Sequence, residues 1–455
     1  MSTTGQSAPP RTGLATKRER LALGLLSLAL AGLIIHYALS LPLPETLIVA
    51  APRQARITGE HGPERELLRR FAQQHGVRVE LVYTDTPEQA VDLVELGRAH
   101  VGLALGVAPQ ENATEAQAPP ASSTRQSRKV AYGPQYDTQP IYAVDWETSY
   151  RPGQPPSLAL DELLRVAQSF SHDPDEAPAL PLDSLLMLIP LLPEVRDTAP
   201  TGQSASYRFL WRTDVPRLDE AMRAFWQEAK EDGTLAALRE HTLGYLPEDP
   251  DPVEMELLRR TLTQNAQPLA PAIRKAARKW KIDPFILMAV IHQESHFNPN
   301  AVSATGVRGL MQMTSTTLEH LGVQNPEDNA EVIAAGARYL AILREGFAEM
   351  GYGEDDAQYL ALAAFNVGQG HVLDAISLAR GENSMLPDWL RVRGTLPKLA
   401  DAEIARKTRY GLCRGFEAVD FVDKVRYFSY AIKGLVVIGG TQGDKLPGLH
   451  LALAG

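Results

Sequence analysis

The chain has 455 residues, 44% hydrophobic and 22% charged, an ordinary globular composition that excludes a fibrous or wholly disordered chain and leaves room for more than one domain. Its formal net charge of −10 excludes nucleic acid as the expected partner, because phosphate binding needs clustered Lys and Arg that release counterions; a neutral sugar polymer remains compatible. Cys413 is the only cysteine. That excludes an intrachain disulfide, a cysteine cluster for a metal, and a lipid-bearing cysteine near the N-terminus.

Residues 1–20 are polar, carry Arg11, Lys17, Arg18 and Arg20, and read as a disordered cytoplasmic tail. Residues 21–41, LALGLLSLALAGLIIHYALSL, match the length of a membrane span. They read as a transmembrane anchor or as a signal segment, since Ala-Leu-Ala at 29–31 and Ala-Leu-Ser at 38–40 offer small residues for cleavage. The apolar run continues past the first of these, which favours the anchor. In both readings the positive charge before the span sends residues 42–455 across the membrane, so the expected location is the cell envelope, with the C-terminal domain in the periplasm.

From residue 45 the pattern predicts βαβαβ. ETLIVAAP is a short strand; Leu67, Leu68 and Phe71 form a helical stripe; VRVEL alternates with period two; Ala90, Val91 and Val94 mark a second helix; HVGLALG is a third strand. Residues 107–128 are rich in Pro, Ala, Ser and Gln and are expected as a mobile loop. QPIYAVDW at 139–146 reads as a strand, Leu185 to Leu192 as an apolar helix, YRFLW at 207–211 as a strand, and Val215 to Tyr245 as one or two amphipathic helices. This is an α/β domain over 42–247. A linker over 248–254 follows from its prolines and acids, and helical spacing over 255–440 predicts an all-α domain. A tail at 441–455 ends the chain.

The chemistry concentrates in DPFILMAVIHQESHFNPNAVSATGVRGLMQMT, residues 283–314. Asp283 is a good N-cap and Pro284 suits the first helical position. Phe285 to Ile291 are apolar on every face, as in a helix buried in a core. Glu294 follows Ile291, Val290 and Leu287 at helical spacing, which puts its carboxyl on an apolar stripe at the helix's C-terminal end. Desolvation and the helix dipole both favour the protonated form there, so a raised pKa is expected, as a general acid needs. The plainer alternative is a solvated surface glutamate. The Gly309-Leu310-Met311-Gln312 turn weighs against it, because such a loop can fold over the helix end and present Gln312 to a sugar.

Three motifs in order, Glu294-Ser295, Gly309-Leu310-Met311-Gln312 and Ala364-Phe365-Asn366, resemble those of the soluble-lytic-transglycosylase domain, a lysozyme-like α fold acting on peptidoglycan. TRYGLCRGFEAVDFVDKV at 408–425 is similar to the C-terminal motif of the membrane-bound lytic murein transglycosylase F family. That family carries upstream a periplasmic-binding-protein-like domain, similar to the solute-binding proteins of amino-acid transporters. Residues 45–106 and EDGTLAALREHTLGYL at 231–246 resemble its beginning and end. The stretch between Ile141 and Phe209 is short for a complete second lobe.

The resemblance implies Glu294 as catalytic acid and base, Ser303, Gln312 and Asn366 as sugar contacts, and Glu417 as a supporting polar group. Ser295, Phe365 and Phe421 would line the cleft. For Gln312 and Asn366 the bland alternative is loop capping. Phe365 and Phe421 stand where the family has Tyr, so two hydroxyls are missing, to be replaced by His371, Tyr427 or water; His371 also reads as structural. The implied reaction uses one carboxylate. Glu294 protonates the oxygen between N-acetylmuramic acid and N-acetylglucosamine, the substrate's acetamido group takes the place of a second carboxylate, and the C6 hydroxyl closes a 1,6-anhydromuramoyl end without water. No metal and no organic cofactor are expected. The expected partners are peptidoglycan strands, the membrane through residues 21–41, and a muropeptide or amino acid at the N-terminal domain, which otherwise serves as a spacer or docking surface. The competing functions are a hydrolytic lysozyme of the same fold and a non-catalytic peptidoglycan-binding or solute-sensing receptor.

Overall fold

The computed structural model describes residues 42–52, 62–109, 129–146, 179–191, 195–304, 306–381 and 386–442. The expected segments at 1–20 and 21–41 lie outside the described residues, as do residues 110–128 of the loop expected over 107–128 and residues 443–455 of the tail expected from 441; residues 107–109 instead continue a strand and 441–442 end the last helix. Among the described residues no helix is long and apolar enough to cross a membrane.

The first part is built on one sheet: β1 (Thr46–Pro52), β2 (Arg78–Thr84), β3 (Val101–Pro109), β4 (Val130–Tyr132), β5 (Asp137–Trp146), β6 (Ala179–Pro181) and β7 (Val195–Arg212). The order is β2-β1-β3-β7-β5-β6, with β4 paired to the end of β7. β1 is parallel to β2 and β3, whereas β7 runs antiparallel between β3 and β5. The helices are α1 (Pro63–His75), α2 (Pro87–Glu95), α3 (Leu182–Leu188), α4 (Leu218–Glu231) and α5 (Thr234–Leu243). Proline opens α1 and α2, where its missing N–H costs nothing, and Gly76 at φ 65° ends α1. One sheet face packs Leu67, Phe71, Phe225 and Trp226 against Leu47, Leu103 and Phe209; the other packs Ala90 and Val94 of α2 against Ala50, Ala104 and Leu210. Gly102 lets α2 lie close: a Cβ there would come within 2.8 Å of Val94 and 2.9 Å of Leu210.

The second part is helical: α6 (Pro252–Thr261), α7 (Ala270–Trp280), α8 (Pro284–Ser295), α9 (Asn329–Glu349), α10 (Glu354–Val367), α11 (Gln369–Arg380), α12 (Trp389–Thr395) and α13 (Gly415–Gln442). The chain is thus an α/β domain followed by an all-α domain. The central helix is α8, whose residues Leu287 to Ile291 are wholly covered. Residues 248–254, expected as a linker, are bonded into both parts. Asp249 accepts from the Tyr142 hydroxyl at 3.0 Å, and Asp251 caps α6 by accepting from the Glu254 N–H at 2.9 Å.

The two parts share a core. Val144, Leu180, Leu185, Leu188, Ile189 and Val195, all from the α/β part, are buried in the same apolar cluster as α8 and α13. Side chains of the helical part also satisfy the carbonyls at the end of α3, groups that a helix leaves unpaired. The Tyr427 and Tyr430 hydroxyls donate to the Leu186 and Met187 carbonyls at 2.8 and 2.9 Å, and the Arg259 guanidinium donates to the Pro190 carbonyl at 3.0 Å. The expectation that Tyr427 could replace a missing cleft hydroxyl is therefore corrected: its hydroxyl is buried in this junction.

Helix α5 is tied down in the same way. The buried Glu240 carboxylate accepts from Arg393 at 2.7 Å, Arg426 at 3.0 Å and the Trp389 indole at 3.2 Å, while Arg426 also donates to the Glu240 and His241 carbonyls. A cavity of about 1030 Å³ lies beside this contact, between Arg65 and Arg69 of α1, His241, and Glu354 and Asp355 of α10. A second, of about 530 Å³, reaches Asp283 and Ile286 at the start of α8. Removing the shared carboxylate leaves buried Arg426 without its nearer anion, with only Asp423 at 3.8 Å. Glu240→Ala is expected to cost about 3–5 kcal/mol in denaturant unfolding, and a change within about 0.5 kcal/mol would refute this account of the junction.

Candidate active site

Helix α8 forms where the sequence places it. The Asp283 carboxylate accepts from the Phe285 N–H at 2.8 Å, Pro284 takes the first position, and the apolar run buries the middle turns. The helix then stops abruptly, with His296 at φ 50° and Phe297 at φ 59°. Left-handed backbone costs a residue with a side chain roughly 1–2 kcal/mol. Among the described residues five non-glycine positions have positive φ, and three of them, His296, Phe297 and Gln312, surround this helix end. Such strain persists only where the surroundings enforce it, and it gathers at functional sites.

Two bonds hold the following loop against the helix end. The Ser295 hydroxyl lies 2.7 Å from the Leu310 carbonyl and 3.1 Å from the Ile291 carbonyl, so its hydrogen is donated across to the loop or back along the helix. The Gln312 side-chain N–H₂ donates to the Gly309 carbonyl at 2.6 Å and the Ala301 carbonyl at 3.3 Å. Ser303 closes the turn between them: its hydroxyl accepts from the Val307 N–H at 3.0 Å, and its own N–H donates to the Val307 carbonyl at 2.8 Å. Ser295 is buried, so it braces the loop rather than lining open space. Gln312 is part loop cap, as the bland reading had it, yet its side-chain oxygen is buried with no hydrogen-bond partner. Met311 is fully buried and seated against Gly336 of α9, where any Cβ would collide with its sulfur.

Glu294 sits half-buried inside this bracing. Burial alone pushes its pKa up to about 8, with no charged neighbour contributing. The helix dipole invoked from sequence is not needed for that rise; desolvation accounts for it. His292, two residues earlier, is fully buried and held down to about 3, first by burial and then by its neighbour His296.

A second cluster adjoins the first through α9. Tyr339, one turn beyond Gly336, lies 5.6 Å between ring centroids from Phe365, and Phe365 stacks on Phe421 at 6.3 Å with planes 13° apart. Asn366 is exposed at the end of α10, next to Phe365. Phe421 is buried, so it backs Phe365 rather than facing solvent. Glu417 lies at the exposed start of α13, where Arg414 takes up its carboxylate. Tyr339 is the residue that sequence reading missed. Its hydroxyl, its pKa raised by burial, stands beside the ring that lacks one. Nothing in the spacing of a long apolar helix marks it out. His371 is half-buried with its Nδ1 enclosed and without a partner. Among the described residues no three His, Cys, Asp or Glu side chains converge as a metal site would require.

The raised pKa has a consequence for stability. In the folded chain Glu294 keeps its proton up to about pH 8, whereas unfolded it ionises near 4.5. Between these values the folded form binds more protons, so this group's contribution favours folding most at low pH and is lost as pH rises towards 8. Glu294→Gln removes that dependence. Its melting temperature should exceed the wild-type value at pH 8 and match it at pH 4; an equal difference at both pH values would contradict a protonated Glu294.

Residues 271–385, which include Glu294, Ser303, Gln312 and Asn366, match the family model described as Transglycosylase SLT domain. A membrane-bound lytic murein transglycosylase F of Yersinia enterocolitica is 37% identical over 233 residues, 51% of this chain and 46% of that relative. The corresponding protein of Stutzerimonas stutzeri is 37% identical over 236 residues, 52% of this chain and 48% of that relative. The chain spans about half the length of the curated relatives it matches. Among solved structures, the GluR0 ligand-binding core from Nostoc punctiforme in complex with L-glutamate aligns at 14% identity with a TM-score of 0.29, over 43% of this chain and 99% of that one. That score assigns this chain no ligand. The likeness to membrane-bound lytic murein transglycosylase F, first read from the 408–425 motif and the upstream segments, is found across about half of each sequence, and the domain read from the three short motifs is matched over residues 271–385.

Proposed function

We propose that this chain is a lytic transglycosylase that cleaves the bond between N-acetylmuramic acid and N-acetylglucosamine in peptidoglycan without water. The observation that carries the reading is Glu294, a carboxyl group pushed to about 8 by burial, with no other charge contributing to the shift. Two-carboxylate glycosidases place their pair within roughly 5–10 Å, where each would perturb the other. A lone protonated acid fits the route in which the substrate's own acetamido group stabilises C1.

In that route Glu294 gives its proton to the glycosidic oxygen as the C1–O bond breaks. The acetamido carbonyl oxygen stabilises the electron-poor C1. Glu294, now a carboxylate in an apolar setting, removes the proton of the C6 hydroxyl, whose oxygen bonds to C1. The acid is regenerated and a 1,6-anhydro end is left. Ser303, Gln312 and Asn366 supply polar contacts to the sugars, Glu417 contributes through Arg414, and Tyr339 offers a hydroxyl beside Phe365. The chain is held to the cell-envelope membrane through residues 21–41, with the helical domain on the periplasmic side. The names of the relatives support the membrane assignment.

Full-length protein on purified sacculi is expected to release fragments lighter by one water than hydrolysed ones, read by mass spectrometry. Glu294→Gln should slow release by at least about a hundred-fold. Products carrying the extra water would replace this reading with a hydrolytic lysozyme. No release at all would favour a binding protein, in which the stacked Phe365–Phe421 pair has displaced the hydroxyls of an active site.

For the α/β domain we favour the spacer role over the hinged sensor; among the described residues β6, α3 and the ends of β5 and β7 stand where a second lobe would be. A hinged lobe must move as a unit, and these elements are packed into the helical core. Titration of the full chain with amino acids and cell-wall peptides should give no binding heat in calorimetry, and a saturable signal would restore the sensor.

A further inference from the structure

An exposed apolar group near the candidate site lies in the 408–425 segment, within the C-terminal motif of the resemblance. Tyr410, Leu412 and Phe416 are 48%, 64% and 51% exposed, three neighbouring apolar side chains in a chain that otherwise covers most of its large ones. Grouped exposed apolar surface marks a binding site more often than scattered residues do.

Tyr410 is also held in place. The buried Asp374 carboxylate accepts from the backbone N–H groups of Arg409 at 3.0 Å and Tyr410 at 2.7 Å. The ring lies flat on Gly370, so close that a Cβ there would come within 2.6 Å of it. Its edge meets His371, and the Arg409 guanidinium lies 5.5 Å from its centre. A ring seated on Gly370, with the Arg409 guanidinium over it and about half of its surface still exposed, offers preorganised apolar surface to a flat ligand face. The axial C–H face of a pyranose is such a surface.

The patch adjoins the candidate site along two elements. Gly370 follows Asn366 by four residues, across the turn from α10 to α11. Phe416 precedes Phe421 by five residues on α13, about 7.5 Å along the helix axis, and Phe421 stacks on Phe365. Lys407 and Arg409, beside Tyr410 in the chain, match the carboxylates that peptide stems hang from a peptidoglycan strand, whereas Arg406 and Arg414 are paired with Glu403 and Glu417.

We propose that Tyr410, supported by Gly370 and Asp374, is a stacking platform for a sugar ring of the glycan strand beyond the cleavage point, with Leu412 and Phe416 extending the apolar surface. This deepens the proposed function and rests on it for the identity of the glycan. The platform sets affinity for strands long enough to reach it and takes no part in bond cleavage.

Co-sedimentation of full-length protein with sacculi tests it independently of turnover. In a Glu294→Gln background, Tyr410→Ala should weaken binding by roughly five-fold, and Tyr410→Phe, which keeps the ring, should bind as before. Gly370→Ala, which pushes the ring off its seat, should weaken binding without touching the ring itself. With Glu294 intact, Tyr410→Ala should raise KM on sacculi and leave kcat within two-fold. Equal binding of Tyr410→Ala and the parent, or no sedimentation of either, overturns the platform. Sedimentation that depends on Tyr410 in a protein whose wild type releases no anhydro fragments upholds the platform and overturns the transglycosylase reading instead.

Discussion

One carboxyl group kept from ionising by its surroundings is the constraint on which the rest of this structure depends. Glu294 has no ion pair to lean on among the described residues; its state follows from burial at the end of α8. A single added cation would undo this, because an opposite charge within a few ångströms favours the carboxylate. The neighbouring His292 is therefore informative. It is an ionisable group two residues away whose pKa burial, with His296 beside it, lowers to about 3.

Enforcing that environment strains the local backbone. The chain reverses at His296 and Phe297 through left-handed conformations, and Gln312 adopts a third. Each is locked from outside: Phe297 is buried, the His296 carbonyl accepts from the Asn265 side chain, and Gln312 is bonded to two carbonyls across the loop. Met311 anchors the far side against Gly336. The Glu-Ser and Gly-Leu-Met-Gln motifs are thus two halves of one device, joined by the Ser295 hydroxyl. The Ser positions the loop, the Leu and Met bury it, and the Gln shapes it while leaving one acceptor unused.

The sequence made much of this legible, and the reason differs by element. Helix α8 was readable because Asp283, Pro284 and an unbroken apolar run are local signals acting on local structure. The first three strands and two helices were readable for the same reason, since period two and period 3.6 are properties of a single segment. What escaped reading is what depends on partners distant in the chain. Glu240 looked like one more charge on an amphipathic helix, and only the fold brings Arg393, Arg426 and Trp389 to it. The prolines and acids at 247–254 read as a divider between domains, but the chain at Asp249 and Asp251 is bonded on both sides of that divide. Tyr339 carried no pattern at all, and Tyr410 lay in the 408–425 motif with nothing to mark its role, because a ring's value at a site depends on what lies beside it.

The junction between the parts also bears on how the helical domain could be influenced. Helix α8 has its first turn at the smaller interdomain cavity and its last residues at the candidate acid. Its length of twelve residues spans about 18 Å at 1.5 Å per residue. A buried helix transmits a displacement as a rigid rod, since close packing leaves no slack to absorb it. The α3 carbonyls are bonded by Tyr427, Tyr430 and Arg259, and α5 is bonded through Glu240, so the α/β domain cannot shift without moving α13 or breaking a buried ion-pair network. Helix α13 packs along α8 and meets His292 through Phe428 at 4.7 Å. The apolar cluster around α8 is therefore shared, through these two helices, with the cluster that holds the domains together.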